Sequence, residues 1–149
     1  MKNQKWHKIF NNKNFIYTSE SNFNKNNKNF IDISYLLTKI VHPQLNKKKF
    51  LGIVSFIKKN LKIKKSSSLL DFGSGNGGIL HFFQKKFDLN DNYSFEISSH
   101  LLKLQKSFIK KTFFFKTHQT DTKFINNFKN NSIDNSMSIS VFQYFYNEE

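Results

Sequence analysis

Glycines at alternate positions follow an aspartate near the middle of this 149-residue chain. Gly73, Gly75 and Gly77 come directly after a short apolar segment that contains Asp71, and a helix-like apolar pattern follows them. Glycine has no Cβ, so it lets the backbone turn sharply and approach a ligand closely. A helix that begins after such a turn presents free amides and the positive end of its dipole. The segment is therefore a candidate binding site for a ligand that needs close backbone contact.

Two acidic residues bear on the type of ligand. Gly73, Gly75 and Gly78 also satisfy the G-x-G-x-x-G fingerprint of dinucleotide sites. In those sites the position of Asp71 is normally apolar, because an acid there would face the pyrophosphate. An acid suits a ligand with a cationic end, such as the ammonium and sulfonium of S-adenosylmethionine. Glu96 ends a second apolar segment, where a carboxylate can accept both ribose hydroxyls of either cofactor, so Asp71 is the residue that favours S-adenosylmethionine.

Alternating strands and helices are predicted to position these residues. The predicted strands are 68–72, 93–96, 112–115 and 133–142, and the predicted helices are 79–87 and one that Ser98 or Ser99 caps and that runs to Lys110. This alternation predicts an α/β fold with a Rossmann-like, doubly wound, mostly parallel sheet and flanking helices. Such sheets bind ligands at the carboxyl ends of their strands, where both acidic residues lie.

The chain divides into three predicted segments. Residues 1–30 form an Asn/Lys-rich extension with too few apolar side chains to offset the entropy of ordering. Residues 31–65 carry apolar side chains at helical spacing, with a break at Pro43 and a helix expected at about 45–61. Residues 66–149 contain the predicted sheet.

Two short motifs within residues 66–149 resemble those of a known family. Residues 69–77, LLDFGSGNG, resemble motif I of the class I S-adenosylmethionine-dependent methyltransferases, D/E-x-G-x-G-x-G. Residues 93–98, YSFEIS, resemble the second motif, in which a glycine usually stands where this chain has Ser94. The resemblance implies that the glycines hold the amino-acid part of the cofactor and that Glu96 holds its ribose.

The resemblance extends more weakly to the end of the chain. Asp121 lies where the family often places an acidic residue against the adenine amino group, and residues 133–134 and 138–145 resemble the fourth-strand region. The end of that strand lines the methyl-transfer site in the family. No catalytic residue is identified. The implied cofactor-binding residues are Asp71, Phe72, Gly73, Ser74, Gly75, Gly77, Glu96, Ile97, Asp121 and Ser140.

These features predict transfer of a methyl group from S-adenosylmethionine to a small-molecule acceptor. The absence of cysteine excludes the cysteine-adduct route to C5 methylation of pyrimidines. The proline motif of the amino-methylating DNA enzymes is missing from residues 140–143, SVFQ. Two alternatives stay open: an NAD(P)-binding oxidoreductase fragment, and a noncatalytic basic module that retains the fold.

The composition bears on partners and location. The formal net charge is +14, but all 24 basic residues are lysine. Because phosphate recognition usually involves arginine, a nucleic-acid partner is possible but weakly supported. The N-terminus is polar and no apolar run approaches the ~20 residues of a membrane span. We therefore expect a cytoplasmic protein without membrane contact, and the isolated histidines suggest no metal site.

The number of strands departs from the family pattern. The family's sheet has seven strands, whereas four are recognisable in this sequence. Strand four would then be an open edge with unpaired backbone groups. We therefore expect a chain that is truncated after the fourth strand and retains the cofactor half of the site.

Overall fold

A computed structural model describes residues 29–89, 91–110, 112–115, 128 and 132–139. The helices are α1 (Phe30–Val41), α2 (Lys47–Leu61), α3 (Gly78–Phe87) and α4 (Ser99–Phe108). The strands are β1 (Leu69–Phe72), β2 (Asn92–Phe95), β3 (Thr112–Phe115) and β4 (Asn135–Met137).

Asparagine side chains cap both N-terminal helices. The Asn29 side-chain oxygen accepts a hydrogen bond from the Asp32 amide at 3.0 Å, and that of Asn46 accepts one from the Lys49 amide at 2.9 Å. Each cap satisfies one of the amides that the first turn of a helix leaves without a partner. Pro43 ends α1, because the residue before a proline disfavours the helical conformation.

β1 lies inside a parallel sheet with the strand order β3-β2-β1-β4. In the register of the sheet, Asp71 on β1 is opposite Ser94 on β2 and Met137 on β4. After β3 the chain crosses to the far side of β1, so the strand order reverses at the carboxyl end of β1. Ligands of open α/β sheets bind at such a point. The predicted Rossmann-like fold is therefore confirmed.

A polar clamp joins the amino ends of β1 and β4. The Asp134 carboxylate accepts hydrogen bonds from the Ser68 amide at 2.7 Å and the Ser68 hydroxyl at 3.0 Å. These bonds lower the pKa of Asp134. The clamp lies at the end of the sheet opposite to the glycines, so Asp134 sets where β4 begins rather than contacting a ligand at the carboxyl ends.

Phenylalanines from three helices form one aromatic cluster. The Phe82 ring on α3 lies 5.7 Å from Phe30 on α1, 6.0 Å from Phe50 on α2 and 5.4 Å from Phe83, measured between centroids. Phe50 and Phe83 are fully buried. Such aromatic pairs contribute about 0.5–1.5 kcal/mol beyond the area that they bury. The two N-terminal helices therefore share the hydrophobic core of the sheet layer.

A buried histidine links α1 to α3. The Ser34 hydroxyl donates to the Phe30 carbonyl at 2.7 Å and lies 2.8 Å from His81 Nδ1, so Nδ1–H donates to the hydroxyl. Burial, with a smaller effect of Lys85, lowers the pKa of His81 to about 4. Because this value lies below that of an unfolded histidine, the fold loses stability as the pH falls from about 6.5 towards 4.

Two element boundaries differ from the sequence prediction. α4 ends at Phe108 rather than Lys110, because Ile109 adopts an extended conformation and buries its side chain to 2% exposure. Of the predicted strand 133–142, the described part forms β4 over Asn135–Met137. Residues 140–142 and the predicted 1–28 part of the N-terminal extension lie outside the described residues.

Replacing Gly78 by alanine is expected to lower the free energy of unfolding by about 1–3 kcal/mol. An added Cβ would collide with Thr38 Oγ1 and the Ser34 carbonyl, and would lie 2.6 Å from the Thr38 amide nitrogen on α1. The control is Gly52→Ala, since nothing lies within 4 Å of a Cβ added there in α2. That variant should gain about 0.5–1 kcal/mol. Urea denaturation measures both, and an unchanged midpoint for Gly78→Ala would contradict the close α1–α3 contact.

Candidate functional site

The glycine loop, residues 73–77, is anchored to the end of β2. The backbone amides of its first two residues donate to the Phe95 carbonyl oxygen at 2.8 Å and 3.0 Å. Its three glycines have φ angles of 71°, 56° and 72°. This left-handed conformation costs glycine little and costs other residues much more, which explains the alternate spacing in the sequence.

The loop runs between α1 and α4 with little room for side chains. A Cβ on Gly77 would collide with Ile109 Cδ1 and lie 2.9 Å from Gln105 Cγ. A Cβ on Gly75 would lie 3.4 Å from Val41 Cγ2 at the end of α1. The backbone is therefore packed against side chains on one side and remains open to a ligand on another.

The buried Ser94 and Gln105 form a hydrogen-bonded ring with the half-buried Ser74 of the loop. Ser94 Oγ donates to Gln105 Oε1 at 2.6 Å, and Gln105 Nε2 donates to Ser74 Oγ at 2.8 Å and to the Gly75 carbonyl at 2.6 Å. The Ser74 and Ser94 hydroxyls are 2.7 Å apart. The ring ties the loop to β2 and α4, and every polar atom in it has a partner.

Glu96 holds the loop from the end of β2. Its Oε2 accepts from the Gly75 amide at 2.8 Å, and its Oε1 accepts from the Ser98 amide at 2.9 Å. The side chain is 7% exposed. Burial raises the pKa of Glu96, and backbone hydrogen bonds from Ser98, Gly75 and Ile97 oppose that rise. The carboxylate is thus part of the loop's own structure.

Asp71 is a buried acid at the carboxyl end of β1. Its side chain is 3% exposed. Burial, with a smaller effect from the negative charge of Glu96, raises the pKa of Asp71 to about 8. The group therefore carries a proton at neutral pH. A cation placed beside it would favour the ionised form.

A cavity of about 280 Å³ lies between the glycine loop and the corner that joins α1 to α2. One wall contains Asp71 and Asn76, and the other contains Thr38, His42 and Lys49. Sites for whole drug-sized ligands measure about 300–1,000 Å³. The cavity therefore has the size for one end of a cofactor.

The carboxyl-terminal half of the chain matches a known family. Residues 70–149 match the model of the methyltransferase domain. This chain belongs to the methyltransferase-domain family. The match confirms the predicted relationship to class I S-adenosylmethionine-dependent methyltransferases, whose cofactor is S-adenosylmethionine. A search of curated proteins found no match.

This methyltransferase domain is similar to solved structures of methyltransferases. A protein from Methanococcus maripaludis described as an S-adenosyl-L-methionine-dependent methyltransferase is 16% identical, with a TM-score of 0.53 over 85% of this chain and 57% of that chain. The plantazolicin methyltransferase BpumL in complex with SAH is 19% identical, with a TM-score of 0.48 over 93% of this chain and 46% of that chain. The chain thus spans about half the length of these proteins.

The structure brings together several residues of the predicted site. Asp71, Gly73, Ser74 and Gly75 line the cavity. Four other predicted residues are described but are not among the residues that line the cavity. Phe72 stacks on Phe95 with ring centroids 6.1 Å apart, and Gly77 packs on α4. Glu96 is buried and Ile97 is half-buried at the end of β2. Asp121 and Ser140 lie outside the described residues.

The wall formed by the N-terminal helices was not predicted from the sequence. Thr38, His42 and Lys49 line the cavity although they lie 22 or more positions before Asp71. Burial lowers the pKa of His42. No local motif marks these residues, because their place in the site depends on how α1 packs against α3. The break at Pro43 was the only available signal of a turn there.

The methyltransferase domain also contains an unsatisfied amide at the cavity. The Asn76 side chain is 1% exposed, and neither its Nδ2 nor its Oδ1 has a hydrogen-bond partner among the described residues. An unpaired buried polar group costs about 1–3 kcal/mol. This donor and acceptor, the nearby buried acid and the glycine backbone fit the polar amino-acid end of S-adenosylmethionine.

Neither a membrane-spanning helix nor a metal cluster occurs among the described residues. The longest helix there has 15 residues, and none has the length and apolar content needed to cross a membrane. Within the same residues, no three side chains of His, Asp or Glu are grouped so that they could hold a metal ion.

Asp71→Asn should raise the melting temperature at pH 8.5 by on the order of 5 °C. The folded pKa of Asp71, about 8, lies above its ordinary value of 3.8, so the folded state keeps a proton that the unfolded chain has lost. Wild-type stability therefore falls as the pH rises from about 4 to 8. Asparagine does not titrate, so the variant does not lose stability in this way. The increase in melting temperature over wild type should therefore shrink as the pH falls towards 4.

Thermal denaturation followed by circular dichroism across pH 4.5–9 checks this expectation. Asp91→Asn is the matched control, because Asp91 is exposed. Its difference from wild type should change little with pH. A gain for Asp71→Asn that is constant, or that grows as the pH falls, would contradict the buried-acid account.

Proposed function

We propose that this chain binds S-adenosylmethionine in the cavity beside the glycine loop and transfers its methyl group to a small-molecule acceptor. The observation that carries the proposal is the buried carboxyl of Asp71, which lines the same cavity as the loop in a methyltransferase domain. Because the chain spans about half of the solved structures that it matches, the activity of these 149 residues alone is part of the proposal.

The roles of the binding residues follow from their surroundings. Asp71 accepts the cofactor's ammonium group, which replaces the proton that burial holds on the carboxyl. The left-handed backbone of Gly73 and Gly75 allows close approach along the loop. A carboxylate offers about four acceptor positions. The backbone amides of Gly75, Ser98 and Ile97 use three of the positions on Glu96, so it retains the capacity to accept a ribose hydroxyl.

The remaining predicted residues complete this proposal. Phe72, Ser74, Gly77 and Ile97 shape the loop and the end of β2 around the cofactor. We also retain Asp121 for the adenine amino group and Ser140 for the methyl-transfer end of the fourth strand, on the strength of the family resemblance.

The chemistry requires alignment more than it requires a reactive side chain. When bound, S-adenosylmethionine would supply a methyl group on a sulfonium: the acceptor would bond to the methyl carbon in line with the carbon–sulfur bond, and the sulfur would leave as the thioether of S-adenosylhomocysteine. The residues of this chain contribute by holding the cofactor in one orientation and by excluding water. The corner between α1 and α2 serves the second purpose, because it covers the cavity opposite the loop.

The acceptor class rests on composition. The positive charge comes only from lysine, which is weak support for a nucleic-acid acceptor. The absence of cysteine removes one route to pyrimidine methylation. We therefore propose that the methyl acceptor is a small molecule in the cytoplasm.

Calorimetric titration of the full chain with S-adenosylmethionine, S-adenosylhomocysteine and NAD tests the proposal. The first two ligands should bind with micromolar dissociation constants, and NAD should not bind. Asp71→Asn should weaken S-adenosylmethionine binding about tenfold or more, as expected for loss of a charge-assisted contact. Gly52→Ala should leave it unchanged, since Gly52 does not line the cavity among the described residues.

Two results would contradict the proposal. Binding of NAD without S-adenosylmethionine would indicate the dinucleotide alternative. Strongly salt-dependent binding to RNA by a folded chain that binds neither methyl-transfer ligand would indicate a basic binding module. Far-UV circular dichroism establishes that each chain is folded before titration.

A further inference from the structure

The cavity has an acidic residue on one wall and a basic residue on the other. Asp71 lies on the sheet side, and Lys49 lines the cavity from α2. The neighbouring Lys47 is already paired, since its Nζ lies 2.6 Å from Asp32 Oδ1. Among the described residues, no carboxylate lies within ion-pair distance of Lys49. Its positive charge is therefore available to an anionic group in the cavity.

The start of α2 adds to the positive character of this wall. Lys49 and Ile53 line the cavity and lie four residues apart, so one face of the first turns of α2 is directed at it. α2 has 15 residues, and its capped N-terminus carries the positive end of the helix dipole. Two sources of positive potential thus coincide on the side away from Asp71.

Asn76 supplies an independent sign that a polar ligand belongs here. Its amide is buried to 1% exposure in the cavity wall and lacks a hydrogen-bond partner among the described residues. An amide can donate to a carboxylate and accept from an ammonium. Buried polar groups are almost always hydrogen-bonded. The Asn76 amide is therefore expected to hydrogen-bond to a ligand that carries a carboxylate or an ammonium group.

We infer that the cavity recognises both charges of an α-amino-carboxylate, with Asp71 binding the ammonium and Lys49, at the start of α2, binding the carboxylate. The inference rests on the proposed function and extends it, because it assigns selectivity for the zwitterionic end of the cofactor to the N-terminal helices. It predicts that the methyltransferase motifs at residues 70–149 are not sufficient for tight binding. The helices at residues 30–61 form part of the binding site.

Comparison of S-adenosylmethionine with its decarboxylated form tests this inference. The two ligands differ in the carboxylate alone. The wild-type chain should bind S-adenosylmethionine about tenfold more tightly, as expected for one charge-assisted hydrogen bond. Lys49→Gln should remove most of that difference by weakening S-adenosylmethionine binding, while affinity for the decarboxylated ligand should stay within about twofold.

Lys48→Gln is the matched control. Lys48 is exposed in the same helical turn and is not among the described residues that line the cavity. The Lys48→Gln variant should keep the full preference for the carboxylated ligand. If it loses as much of that preference as Lys49→Gln does, the effect comes from the general charge and the assignment of Lys49 is overturned. Calorimetry at 0.15 M salt measures all of these constants.

Asn76→Leu provides a second, separate readout. The change removes an unpaired amide, so the melting temperature should not fall, while affinity for S-adenosylmethionine should drop about tenfold or more. A variant that binds as tightly as wild type would overturn the role of Asn76 as a ligand contact.

Failure of this inference is distinguishable from failure of the proposed function. If wild type binds both ligands equally, or if Lys49→Gln keeps the preference, the carboxylate assignment is overturned while cofactor binding stands. If a folded wild-type chain binds neither ligand, the proposed function itself fails and the inference fails with it.

Discussion

The close passage of the glycine loop between β2, α1 and α4 is the constraint on which the rest of the site depends. Two amides of the loop donate to one carbonyl of β2, and a third donates to Glu96. Gln105 holds the loop from below through Ser74 and the Gly75 carbonyl. These bonds satisfy backbone groups that a buried turn would otherwise leave unpaired. They also fix where the loop's remaining surface meets the cavity.

The same arrangement buries an acid at a cost to stability. Asp71 lies within reach of the charge of Glu96 and has little contact with water, so its pKa is raised to about 8. A chain selected for stability alone would place an apolar residue there, as parallel strands usually do. The retained carboxyl and the unpaired amide of Asn76 are two departures from local optimality at one cavity. Departures of this kind concentrate at functional sites.

The N-terminal helices connect the hydrophobic core to the site. Phe30 and Phe50 pack on Phe82, and Gly78 lets the backbones of α1 and α3 approach closely. This packing places the end of α1 and the start of α2 over the glycine loop. The same helices pack in the core and line the cavity, so a substitution in the core at α1 should change the shape of the cavity even where the substituted residue does not line it.

The sequence alone predicted the parallel α/β fold, which the structure confirms, and the glycine loop and Asp71 of the candidate site. Strand and helix periodicity, the left-handed turns that require glycine and the acid in front of them are local properties, so they can be read without a structure. The tertiary structure decided which distant residues close the cavity, that Gln105 supports the loop and that Glu96 bonds to Gly75. Those contacts depend on how helices pack across the sheet. No spacing along the chain encodes that packing.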